Sequence, residues 1–177
     1  MIRGPTYAER MVTRDSVGSW LEGGPGGGDD GAARGTRLGL PAAGPGSLAR
    51  LGRRMAALTV DWVACLAVSA LLLPARADGL FLLRGDSLGT LAVFAVENLV
   101  LVATLGHTLG HRLLGLQVQR VVPAAPGASP TVRAGSPGLL SALVRTALLC
   151  LVLPAAVWDG DGRGLHDRAA GTVLVRR

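Results

Sequence analysis

The sequence predicts an all-α membrane protein with about three membrane-embedded helices, short β segments on the cytoplasmic side and a disordered N-terminal leader. Three observations lead there. Of the 177 residues 49% are hydrophobic and only 3% aromatic, with a mean hydropathy of +0.42, which is too apolar for an ordinary soluble domain. Three apolar stretches of about 19 or 20 residues follow residue 54, each near the length a helix needs to cross a hydrocarbon core of about 30 Å. Ahead of them lies a glycine-rich segment of mixed charge.

That leading segment, residues 1–46, holds twelve glycines with five acidic and five basic residues. It cannot bury enough apolar surface to offset its chain entropy, so it is expected to be disordered and solvent-exposed. The fragment VGSWLEG around Trp20 reads either as a stray hydrophobic turn or as a short docking motif. No positive, apolar, small-residue succession marks a cleavable signal.

Residues 47–177 form the expected membrane domain. The first apolar segment, 55–73, ends at Pro74; the second, 88–106, carries Glu97 and Asn98 near its middle; the third, 139–158, carries Arg145 and Pro154. Arg50, Arg53 and Arg54 precede the first, and Arg112, Arg120 and Arg133 occupy a loop from 107 to 138 without any acid, whereas the loop 74–87 balances two arginines with two aspartates. Arginine flanks stay inside, so the N-terminus and the 107–138 loop are assigned to the cytoplasm of the plasma membrane. The tail, with Arg163, Arg168, Arg176 and Arg177, also reads as cytoplasmic. The third segment is therefore either a full crossing with an exterior tail or, preferred, a bent or re-entrant element. Two β-branched runs, LLGLQVQRVV (113–122) and TVLVRR (172–177), are expected to pair, which also favours the return.

Charges inside apolar segments are functional-site candidates by default, since an ionised group at depth is costly unless paired, hydrated or neutralised. Arg54 and Asp61 share a helix face but stand about 10 Å apart along the axis, so each needs another partner. Arg54 can reach a phosphate or a tail carboxylate at the interface. For Asp61 the preferred partner is Arg145, at comparable depth on the third segment, with Glu97 and Asn98 as further neighbours. Two carboxylates in one dry site would raise at least one pKa, as in a proton-coupled cation site. A structural interhelical pairing is the competing reading.

Other signals are weaker. All 18 basic residues are arginine, and no basic stripe interleaved with aromatics or DNA-binding motif accompanies them, so no nucleic-acid partner is expected. Cys65 and Cys150 sit in apolar runs and are expected to stay free thiols. His107 and His111, four apart, could face one metal with His166 as a third ligand, but no cysteine or carboxylate completes the set, and the Asp159–Asp161 turn fails as a calcium loop, because Arg163 and Ala170 occupy positions that need oxygen ligands. Neither metal nor cofactor is expected. No nucleophile elbow, phosphate loop or HExxH is present, so an enzyme is not expected. Gly106 and Gly110 form a small-xxx-small pair suited to close helix contact.

GRRMAALTVDW, TLGHTLGHRLLGLQV and DGRGLHDRAAGTVLVRR, in this order around three apolar segments, resemble the RDD family of small bacterial integral membrane proteins, over about residues 47–177. The leader stretches VGSWLEGG and RLGLPAAGPGSLA are similar to those of actinobacterial members. The resemblance implies that the arginine and two aspartates for which the family is named are Arg54, Asp61 and Asp167, and that its glycine-rich stretch falls on Gly106, Gly110 and Gly115. Where many relatives have a Gly-Lys step this chain has Gly110–His111, so a basic contact becomes titratable or neutral at pH 7. The function expected is transport of a proton or small cation, or an unknown ligand, by a protein that forms homo-oligomers or joins a partner membrane protein; the alternative is a non-transporting accessory or assembly subunit.

Overall fold

The computed structural model describes residues 35, 38–124, 130–151 and 163–177. Helix α1 runs Leu51–Leu72, α2 Ser87–Leu105 and α3 Leu109–Leu113; strands β1 (Leu116–Val122) and β2 (Thr131–Arg133) follow, then α4 (Leu139–Cys150), α5 (Leu165–Ala169) and β3 (Thr172–Arg176). Helices α1 and α2 are long and apolar enough to cross a membrane.

The long helices carry the inverse of a soluble helix's pattern. The buried stripe of α1 is small or polar: Arg54, Ala57, Asp61, Cys65 and Ser69, spaced three or four apart and hence on one face. Its exposed positions include Met55, Trp62, Val63, Leu71 and Leu72. Helix α2 buries Thr90, Phe94, Asn98 and Val102 at every fourth position and exposes Leu88, Val96, Val100 and Leu105. Polar and small groups inward with leucines outward suit a hydrocarbon solvent, where close packing and hydrogen bonding, not apolar burial, hold helices together. Trp62 and Phe94 add an edge-to-face contact between α1 and α2, with ring centroids 5.5 Å apart.

Each helix end is determined locally. The Asp86 carboxylate caps α2, accepting from Gly89 N at 2.6 Å. Gly106 closes it in the left-handed region (φ 73°), and Val118 N donates to Gly106 O at 2.7 Å, fastening β1 under the helix end. Thr108 begins α3 with a reciprocal cap: its hydroxyl accepts from His111 N, and its own N–H donates to His111. Gly115 (φ 63°) turns the chain into β1.

The sheet is antiparallel with order β2-β1-β3. Leu116, Val118 and Leu174 on one face pack with Ala57, Val102 and Ala142 of the helices. Val173 and Val175 on the other pack with Leu38 and Leu48. Residues 46–49 run along the outer edge of β3, with Gly46 N donating to Arg176 O, Arg176 N to Ser47 O and Ala49 N to Leu174 O.

Three expectations change. The all-α class becomes a helix-strand mixture, because the predicted pair β1 and β3 gains β2 and builds a sheet with two packed faces. The leader is expected to be disordered through residue 46, yet Leu38 and Leu48 pack on Val173 and Val175, and Gly46 already bonds to the edge of β3. Gly106 and Gly110 do not share one helix: the first ends α2 and the second sits in α3. The third apolar segment is helical over Leu139–Cys150; residues 152–162, including Pro154 and the Asp159–Asp161 turn, and the Trp20 motif lie outside the described residues.

Candidate functional site

Two buried polar groups converge where the helices meet the sheet. In the first, Asp167 in the opening turn of α5 is 0% exposed and takes a basic residue on each oxygen. Arg54 Nη1 lies 3.1 Å from Asp167 Oδ2, and Arg145 Nη1 forms an ion pair with Asp167 Oδ1. Arg54 also donates through Nε to Ala49 O at 2.8 Å, which orients its guanidinium plane. Thr172 Oγ1 lies 3.2 Å from Asp167 O and 3.3 Å from Asp167 Oδ1, and His166 Nε2 is 3.7 Å from Oδ2. One carboxylate thus ties α1, α4, α5 and β3 together, and the desolvation of its charges is offset only while all three stay assembled.

Asp61, 2% exposed, belongs to the second group. Its Oδ2 accepts from Thr108 Oγ1 at 2.5 Å and its Oδ1 from Gly110 N at 2.6 Å. The short helix α3 therefore docks onto α1 by a carboxylate clasp, and a charged acceptor makes such bonds roughly twice as strong as neutral ones. Gly110 is required there, since a Cβ would collide with the Ala57 carbonyl. One turn along α1, Cys65 Sγ donates to Glu97 Oε2 on α2 at 3.1 Å. Asn98 is buried but turns back to donate to Phe94 O at 3.1 Å.

Asp61 and Arg145, the expected partners, make no direct ion pair, although the two groups attract each other through space. Arg145 binds Asp167 instead, because the tail folds back and delivers a carboxylate to the interior that comparison of helix depths alone did not consider. Sequence reasoning also missed Thr108 as the partner of Asp61. Its signal was present, as a threonine at the start of a short helix following the glycine that ends α2.

His111 does not replace a lysine contact with another cation. It is buried, and desolvation first, then the charges of Arg145 and Arg54 and the neighbouring His107 and His166, push its pKa well below the usual imidazole value. A neutral ring agrees with Nδ1 accepting from Thr108 N at 3.2 Å. The residue at this position thus completes the cap that presents Thr108 and Gly110 to Asp61.

The sequence model described as the RDD family matches residues 48–171. That span contains Arg54, Asp61, Arg145 and Asp167 and strands β1 and β2, and it ends just before β3. No curated protein and no solved structure matches the chain.

Proposed function

The chain belongs to the RDD family, and from that premise we propose that it is an integral membrane protein which moves a proton or small cation by way of Asp61 and Glu97. The observation that carries this reading is a mismatch of charge: the basic residue that would neutralise Asp61 is committed to Asp167, and neither Asp61 nor Glu97 forms an ion pair among the described residues. Carboxylates on two facing apolar helices, with only a thiol, a hydroxyl and an amide as partners, are stabilised by binding a proton or a cation. The reading is non-enzymatic and needs no cofactor. A pathway requires more wall than these helices supply, so a homo-oligomer or a partner membrane protein completes it.

The topology proposed has the sheet and both termini in the cytoplasm. Helices α1 and α2 cross, and the third apolar segment enters and returns. Its support is that β1, which follows α2, and β3, which follows the third segment, lie in one sheet.

The second reading, an accessory or assembly subunit, is favoured by the completeness of the Asp61 clasp, in which both oxygens already have donors. Proteoliposome flux separates the two. Proton-coupled Na⁺ or K⁺ flux that falls at least tenfold in Glu97→Gln supports transport. Flux absent from the parent, with a membrane partner that co-purifies with the full chain and is lost on deleting residues 1–34, supports the subunit.

A further inference from the structure

We propose that the helix-facing side of the sheet carries a binding site for the phosphate of an anionic phospholipid, formed by Arg120 on β1 and Arg133 on β2. These residues are direct cross-strand partners in antiparallel register. Opposed residues project from the same face with Cβ atoms about 5 Å apart, and like charges so placed destabilise a sheet. An anion between them reverses that sign. The protein supplies none: neither guanidinium forms an ion pair or a hydrogen bond with a carboxylate among the described residues, and the sequence from 106 to 138 contains no acid.

The direction of the pair follows from strand alternation. Leu116 and Val118 pack on Ala57, Val102 and Ala142 of the helices, so Arg120, two residues beyond Val118, projects from that face. Val121 and Val132 belong to the opposite face, with Leu38 and Leu48. Arg120 and Arg133 are nonetheless exposed, which places them where the sheet extends past the helices. Val122 shares their face and is 37% exposed. Six and seven residues after Arg133, Leu139 and Leu140 open α4 and are 67% and 75% exposed. With α1 and α2 crossing the bilayer as proposed, the arginine pair stands on the membrane side of the sheet, with exposed Val122 on the same face and exposed Leu139 and Leu140 a few residues further along the chain. A guanidinium pair there matches a lipid phosphate by charge and by its ability to donate two hydrogen bonds per group.

The inference does not depend on transport, and its test uses none. The full chain in an uncharged detergent at low salt is titrated with short-chain phosphatidylglycerol, short-chain phosphatidylcholine or inorganic phosphate, with bound lipid counted by native mass spectrometry and unfolding followed thermally. Each arginine near a phosphate is worth about fivefold in affinity, so Arg120→Gln with Arg133→Gln is expected to weaken phosphatidylglycerol binding about 25-fold. A control pair in the opposite loop, Arg76→Gln with Arg84→Gln, should leave it within about twofold. Arg133→Gln alone should melt higher than the parent without anionic lipid, because the repulsion is gone, and gain less than the parent when that lipid is added. Equal loss in the control pair, unchanged binding in the double variant, or equal stabilisation by inorganic phosphate would each overturn the site.

Discussion

Arg54, Arg145 and Asp167 on one side, and Asp61, Cys65 and Glu97 on the other, lie within the same small interior yet solve the problem of buried charge differently. The first group is ionic: one carboxylate from the tail serves two arginines brought by α1 and α4. The second is built from acids and neutral donors, with no cation in direct contact among the described residues. Arg54, Asp61 and Asp167, the three residues that the resemblance to the family singles out, are thus divided between two groups. Arg54 and Asp167 form a clamp that closes the domain over its tail, whereas Asp61 holds α3 against α1 and lies within electrostatic reach of Glu97 on α2. Losing a clamp residue upsets the balance of buried charge, while changing an acid in the second group alters hydrogen bonding.

That contrast orders the expected effects. Asp167→Ala removes the buried carboxylate that Arg54 and Arg145 share and should cost about 3–5 kcal/mol, measured as reversible unfolding in detergent. Next comes the clasp: Thr108→Val removes a hydroxyl from a buried carboxylate, and Gly110→Ala drives a Cβ into the Ala57 carbonyl, each costing about 1–3 kcal/mol. Amide exchange in residues 108–114 should rise in both before exchange in β1 does.

A smaller effect comes from His111. Its folded pKa is depressed, so below the ordinary imidazole value of 6.5 the unfolded chain takes up a proton that the folded chain refuses. Stability contributed by the neutral ring is present in full above that value and declines as pH falls beneath it. Arg54, Arg145, His107 and His166 all face the ring, so the comparison that isolates it is the slope of stability against pH in the parent and in His111→Gln, which should be shallower below 6.5. The smallest change in stability, within about 0.5 kcal/mol, is expected for Glu97→Gln, since its one described partner is a weak thiol donor. A large loss of stability there would place Glu97 in the structural group and weaken the transport reading.

Much of this architecture was legible in the sequence. The second apolar segment, read as 88–106, is a helix from Ser87 to Leu105, because an aspartate cap and a glycine stop bracket it. The β-branched runs at 113–122 and 172–177 gave β1 and β3 in the correct pairing. Strand β2 escaped notice since it is three residues long, too short for an alternation to register. The bond from Asp61 to Thr108 was hidden for a different reason: it spans 47 positions and depends on a five-residue helix whose approach is permitted by one glycine. The Arg145–Asp167 pair required knowing that the tail returns to the helices, which neither residue announces by itself.

The separation of the two groups can be measured directly by paired double-mutant cycles in detergent, one joining Arg145→Gln with Asp167→Asn and the other joining Arg145→Gln with Asp61→Asn. The ion pair in the structure requires a coupling of about 1–3 kcal/mol in the first cycle and near-additivity, within about 0.5 kcal/mol, in the second. Strong coupling of Arg145 to Asp61 with additivity toward Asp167 would contradict it.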